Sequence, residues 1–339
     1  MDARELLGDD GRAVLALCSQ LGLEEAATAF TLTEWNDLAR RIQASEWKRP
    51  AALAGQSASA IAATLGIVPS EAERVAGLLE RSGRLALELE NLFARGLWAV
   101  TRADAGYPAK LRQSLKHQAP PVLFGAGEIA LLARAGVAVI GSRNLDPAGM
   151  AFAQEIGRRC AAARLPVVSG GARGTDRVAM QAALEEGGTA SGVLADSLER
   201  TVQQPDLRQL LHDERLVLLT PYSPTAGFSV GAAMGRNKVI YGLADYAVVV
   251  SSDLEKGGTW AGAVEALRGG WCPVFVRDGE DVPAGNRELL KRGAAPITED
   301  AWHDDLADWL PAHAIVRVGE KESFASAVME RPKRYRAKQ

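Results

Sequence analysis

Val137-Ala-Val-Ile-Gly-Ser-Arg143 and, one helical interval later, Leu165-Pro-Val-Val-Ser-Gly-Gly-Ala-Arg-Gly-Thr-Asp176 decide the fold. Each is a short apolar, β-branched run that breaks into a Gly/Ser/Arg turn, and each turn leads into a helix pattern. In a parallel sheet this places two glycine loops side by side at the carboxyl ends of adjacent strands. Helix N-termini with free backbone N–H groups favour an anion there. The edge therefore reads as a phosphate-binding edge, with the owner of the phosphate open.

Outward from this stretch the alternation continues. Strands are expected at 137–141, 166–169, 190–194, 215–219, 246–251 and 273–276, and helices at 148–163, 175–186, 232–243, 259–268 and 285–292. Continuous apolar strands such as Ala247-Val-Val-Val250 belong to a sheet covered on both faces. The fold class is α/β, a Rossmann-like doubly wound, mostly parallel sheet. Residues 1 to about 100 read as helical, with Ala and Leu at helical spacing. A capping box is expected at Ser70-Glu-Ala-Glu73, with Gly83 closing that helix, and a further helix runs from Leu85 to Ala94 and ends at Gly96. The pair of helices around Gly66 reads either as a helical hairpin or as a helix-turn-helix, although Glu71, Glu73 and Glu80 leave little basic surface on its second member. Ala99 to Pro121 is a transition, Val122-Leu-Phe124 is strand-like, and Leu306, Trp309 and Leu310 suggest a last short helix.

Composition limits the function. A net charge of −3 over 339 residues means that any nucleic-acid binding must come from a local patch. The Arg331-Pro-Lys-Arg-Tyr-Arg-Ala-Lys338 tail is one local excess, either a solvated tail or a partner contact. Three scattered cysteines do not suggest a disulfide framework. No apolar run reaches the roughly 18 residues of a membrane span, and no signal-peptide core begins the chain, so a cytoplasmic protein without membrane contact is expected. The four histidines and three cysteines lack metal-ligand spacing, so neither a metal nor a cofactor is expected.

Two motifs match in letters only. Gly125-Ala-Gly-Glu-Ile-Ala130, with Asp146 at ribose distance, resembles a dinucleotide fingerprint, but its strand and following helix are too short. Gly227-Phe-Ser-Val-Gly231 resembles a nucleophile elbow, yet Pro221, Pro224 and Gly227 make a loop where that motif needs a strand. No catalytic constellation emerges, and an enzyme is not expected.

Four other segments fit a phosphate edge. Gly141, Ser142 and Arg143 follow a strand and precede Pro147, with Ser142 able to cap the turn and Arg143 able to fork a phosphate. Ser169, Gly170, Gly171, Arg173 and Gly174 form the second loop, where glycines permit close backbone approach and Asp176 can cap the helix or hold Arg173. Arg236, Asn237 and Lys238 put two cations on one helix, as a binding face or a solvated one. Gly257, Gly258 and Thr259 make a third glycine loop on the same edge.

In this order, together with Tyr107-Pro108, Pro121-Val-Leu-Phe124 and Gly293-Ala294, these motifs resemble the DNA-processing protein A (DprA/Smf) family, within the wider SMF/DprA-LOG superfamily. The resemblance runs from about Leu92 to Trp309. It implies a Rossmann-like domain over 106–310 that binds single-stranded DNA by its backbone without sequence preference, dimerises, and loads the RecA recombinase during DNA uptake and transformation. It also implies a sterile-alpha-motif-like helical domain over 1–105, and leaves 311–339 as a basic tail without the family's frequent winged helix. Arg143, Arg173, Arg236 and Lys238 would supply charge to the groove, with Phe228 either stacking on bases or buried. The sequence departs from the family at Met180 (usually His), Ser229 (usually Pro), Lys238 (usually Arg) and Ser251 or Ser252 (usually Glu). Two alternatives accompany this reading. One is a nucleotide- or DNA-sensing regulator with a toxin or phage-defence partner. The other is an enzyme similar to nucleotide phosphoribohydrolases, disfavoured because Glu265 follows Thr259 by six positions where that motif has three.

Overall fold

The computed structural model describes residues 3–23 and 27–315; the basic tail at 331–338 lies outside them. Five helices come first: α1 (Asp9–Cys18), α2 (Leu32–Ala44), α3 (Ala58–Leu65), α4 (Pro69–Glu80) and α5 (Ser82–Ala94). Then follow β1 (Leu97–Thr101), α6 (Ala109–Leu115), β2 (Val122–Gly127), β3 (Val137–Gly141), α7 (Pro147–Ala162), β4 (Val167–Ser169), α8 (Thr175–Glu185) and β5 (Ala190–Val193). The chain continues through α9 (Leu198–Val202), α10 (Pro205–His212), β6 (Leu216–Thr220), α11 (Val230–Leu243), β7 (Tyr246–Ser251) and α12 (Gly257–Gly269). It closes with β8 (Val274–Arg277), α13 (Ala284–Lys291), β9 (Ala295–Ile297) and α14 (Leu306–His313).

The strands form one nine-stranded sheet in the order β1-β2-β6-β5-β4-β3-β7-β8-β9. From β6 to β9 every pairing is parallel. β1 and β2 are antiparallel additions beside β6. The chain steps outward from β3 to β6, then returns to place β7 on the other side of β3. That reversal is the point where open α/β sheets hold ligands. The doubly wound sheet and the helical N-terminus are as the hydrophobic pattern predicts.

The two faces have separate cores. Phe152 and Ile156 of α7, Met180 of α8 and Phe275 lie on one face, and Val239 and Tyr241 of α11 with Trp260 of α12 lie on the other. The N-terminal helices are continuous with the first of these: Leu85, Leu89 and Leu92 of α5 cluster with Leu97, Ala99 and Phe124 of the sheet.

Several local expectations are corrected. β1 lies within the stretch read as helix and transition, and β2 runs on to Gly127. Ser70 does not cap a helix: α4 begins at Pro69 with Val68 as its N-cap residue, because proline's fixed φ suits the first helical position. Gly83 does not end α4 but lies inside α5, which starts one residue after Arg81. The Gly125 and Gly127 pattern answers to Trp98. A Cβ on Gly125 would sit 2.2 Å from the Trp98 ring, and the indole Nε1 donates to the Gly127 carbonyl at 2.9 Å. Asp146, at ribose distance in the letter match, is instead the N-cap of α7 and accepts from the Gly149 N–H.

Candidate functional site

The β3–α7 and β4–α8 loops pack directly on each other. The Thr175 N–H and hydroxyl both donate to the Ser142 carbonyl, at 3.2 and 3.1 Å. Gly174 adopts φ +94°, and a Cβ there would lie 2.5 Å from the Ser142 carbonyl oxygen. Its glycine serves the contact between the loops rather than approach to a ligand. The Ser142 hydroxyl accepts from the Asn144 N–H at 3.1 Å and caps the first loop, and the Ser142 N–H donates to the Ser251 carbonyl of β7 at 2.9 Å.

These loops form one wall of a cleft of about 970 Å³. Arg143, Arg173, Phe228 and Arg236 line its polar part, and the carboxylates of Asp196, Asp206 and Glu185 belong to the lining as well. Met180, Leu184, Leu194, Leu207 and Leu210 line an apolar end toward α10. Arg143 and Arg173 are exposed. Phe228 is 55% exposed on the loop before α11, with the Arg143 guanidinium 5.8 Å from its ring centre. The choice between stacking surface and burial is thereby resolved toward an open ring.

Arg236 lies at the back of the polar end. It is only 6% exposed, and its Nε and Nη1 have no hydrogen-bond partner among the described residues. Burial pulls its guanidinium down from the ordinary arginine range, with Asp176 and Tyr222 opposing that shift and Arg143 adding to it. A Cβ on Gly170 would fall 1.6 Å from Arg236 Nη1, so only glycine leaves the guanidinium its place. Asp176 is buried beside it and accepts from the Gly170 N–H at 3.1 Å. Burial pushes the Asp176 carboxyl up to about 6, against the pull of Arg236 and of the Gly170 and Ala172 N–H groups. Asp176 thus braces the loop and faces Arg236; Arg173 instead reaches the Asn144 side chain at 3.3 Å.

The expected residues therefore divide. Ser169 is fully buried and its hydroxyl donates to the Val139 carbonyl at 2.6 Å, so its side chain supports the loop from inside. On α11 consecutive side chains point about 100° apart, so Arg236, Asn237 and Lys238 cannot share one face. Asn237 Nδ2 donates to the Gly258 carbonyl at 3.1 Å and ties α11 to α12, while Lys238 is half-buried and is not part of the cleft lining. Gly257, Gly258 and Thr259 open α12 on the same sheet edge, with no side-chain cap from Lys256, but they do not line this cleft either. Glu265 is exposed farther along α12 and is also outside the lining. Ser229, at the position where the resembled family usually has proline, caps α11 by accepting from Ala232 N–H at 3.0 Å. Sequence reasoning missed the apolar end entirely, because Leu207 and Leu210 belong to a short helix that no motif marks. Among the described residues no group of histidine, cysteine and acidic side chains could hold a metal ion, and no helix is long and apolar enough to cross a membrane.

Residues 98–306 match the family described as DNA recombination-mediator protein A. The chain is 30% identical over 267 residues to a DNA processing protein DprA of Mycobacterium tuberculosis, covering 72% of this chain and 66% of that relative. It is 30% identical over 213 residues to the DprA of Streptococcus pneumoniae, covering 61% of this chain and 72% of the relative. The crystal structure of the S. pneumoniae protein superposes with a TM-score of 0.61 at 23% identity, over 82% of this chain and 99% of the other. A DNA processing protein A from Helicobacter pylori, whose structure concerns its single-stranded DNA binding mode, matches with a TM-score of 0.53 at 22% identity, over 64% of this chain and 97% of the other.

Proposed function

We propose that this chain, which belongs to the DNA recombination-mediator protein A family, binds single-stranded DNA in the cleft between the β3 and β4 loops and α11. The observation that carries the reading is Arg236. A guanidinium 6% exposed, with two nitrogens unpartnered among the described residues, lines an open cleft that two exposed arginines also line. Asp176 beside it offsets part of the charge, but the two buried donor nitrogens still lack an acceptor, and a phosphate oxygen at that position would satisfy them. Arg143 and Arg173 at the rim fit neighbouring phosphates, and the open Phe228 ring offers a π-face to any base. That combination is indifferent to sequence. The likeness to the H. pylori protein, whose structure concerns single-stranded DNA binding, supports the same ligand.

On this reading the cleft grips a strand and performs no bond cleavage. The family relation further supports a recombination mediator that acts as a homodimer and loads the RecA recombinase onto the strand. The first test compares ligands by thermal shift and by anisotropy: a dT oligomer, a duplex of equal length and nucleoside monophosphates. Binding of the dT oligomer with little response to mononucleotides is expected. A large shift with a mononucleotide and none with the oligomer would replace the reading with a small-nucleotide site. For the mediator step, the chain is expected to accelerate RecA filament assembly on strands already coated with single-strand-binding protein, and no acceleration would remove that step while leaving DNA binding intact.

A further inference from the structure

A second basic groove, of about 560 Å³, lies where the N-terminal helices meet the antiparallel end of the sheet. Arg40, Lys48, Arg102, Lys116 and His117 line it, and no carboxylate does so among the described residues. In a chain of net charge −3 this is a local concentration of positive charge. Asn36 holds its centre together: its Nδ2 donates to the His117 carbonyl at 2.7 Å, and its Oδ1 accepts from Arg102 Nη2 at 2.7 Å. Arg102 is half-buried against this neutral partner, and burial pulls its guanidinium below the ordinary range. Arg40 pairs with Asp37 at 2.8 Å.

Both lining lysines have backbones that side-chain-bearing residues seldom adopt: Lys48 at φ 59° and Lys116 at φ 53°. Neither position has the usual glycine.

Topology says where this groove lies relative to the cleft. β2 runs antiparallel to β6, with Phe124 opposite Thr220, and β1 is antiparallel to β2, with Thr101 opposite Val122. The end of β1, and with it Arg102, therefore falls on the same sheet edge as the glycine loops. From β4 the order along that edge is β5, β6, β2 and β1. Four strand spacings make about 19 Å, a span of about six stacked nucleotides at roughly 3.4 Å each.

We infer that the groove at Arg102, Lys48 and Lys116 is a second phosphate-binding segment, which takes the continuation of the same DNA strand that the cleft holds. The inference rests on the proposed function and deepens it. It gives the N-terminal helices a part in binding and sets a minimum strand length for full engagement.

The test measures salt-dependent binding of the full chain to dT oligomers of about 3 and about 20 nucleotides; at roughly 3.4 Å per stacked nucleotide the first is too short to reach both segments and the second spans them. The double variant Lys48→Glu/Lys116→Glu should bind the short oligomer as the parent does. For the long one it should lose affinity, and the log–log salt slope should shrink by about 1.4, at about 0.7 per single-strand phosphate contact. If circular dichroism shows that this variant misfolds, Lys48→Gln/Lys116→Gln carries the same expectation. An unchanged affinity and slope on the long oligomer would overturn the second segment and leave the cleft standing. Failure of the parent chain to bind either oligomer would overturn both readings.

Discussion

Arg236 and Asp176 are buried side by side, and a carboxyl titrating next to that guanidinium should make binding depend on pH. Asp176 is raised from an ordinary 3.8 to about 6, chiefly by burial. The folded protein therefore holds this proton more tightly than the unfolded chain, so this group's contribution to stability declines as pH rises from 3.8 to about 6 and is level above. For binding, a phosphate beside Arg236 favours the protonated carboxyl. Affinity for dT should accordingly rise as pH falls through about 6, and Asp176→Asn, which keeps an acceptor for Gly170, should abolish that rise when binding is titrated by anisotropy. A pH response that persists in Asp176→Asn would place the titrating group elsewhere. Gly170→Ala makes a second demand. Its methyl group would occupy the place of Arg236 Nη1, the far end of a flexible side chain. Binding should fall by tenfold or more, about 1.4 kcal/mol, with thermal stability little changed. The sequence marked Arg236 as a binding or solvated cation and gave Asp176 only the roles of helix cap or partner of Arg173, whereas Asp176 lies beside Arg236 and Arg173 reaches Asn144. Burial and side-chain direction depend on neighbours distant in the chain, and no local spacing encodes them.

At the scale of elements, α11 shows why a motif can be real and still mislead. Gly235-Arg-Asn-Lys238 reads as one basic unit, yet its three polar side chains fan out over a helix. Arg236 enters the cleft, Asn237 ties α11 to α12, and Lys238 lies outside the lining. Lys238→Glu should therefore weaken dT binding less than Arg143→Glu does, a ranking checked by parallel titrations at one salt concentration. The strands from β3 to β8 were legible because buried parallel strands are nearly pure apolar runs. β1 was not, because it begins directly after α5 with only Gly96 to mark the change. The Gly125 pattern belongs to this scale as well. Since that glycine makes room for Trp98, Gly125→Ala should cost about 1–3 kcal/mol by overpacking in denaturant unfolding, and should leave DNA affinity unchanged.

Across the whole molecule, the helical N-terminus and the sheet share a core through α5, β1 and β2, rather than meeting across a polar linker. A single cooperative unfolding transition for the full chain is the expected result, with circular dichroism and tryptophan fluorescence coincident, whereas two separated transitions would mark independent domains. The overall architecture was readable because its signals are periodic and repeated. The cleft was readable only as an edge, because its depth depends on a buried arginine, an exposed phenylalanine and two leucines of a short helix. The account stands or falls on whether that edge grips a DNA backbone. The direct measurement is equilibrium binding of the full chain to a dT oligomer across a salt series, for the parent and for Arg143→Glu/Arg173→Glu, both exposed positions. The account predicts salt-sensitive binding by the parent, and a variant that folds normally but binds weakly with a slope reduced by about 1.4. Parental affinity and slope in the variant would contradict it.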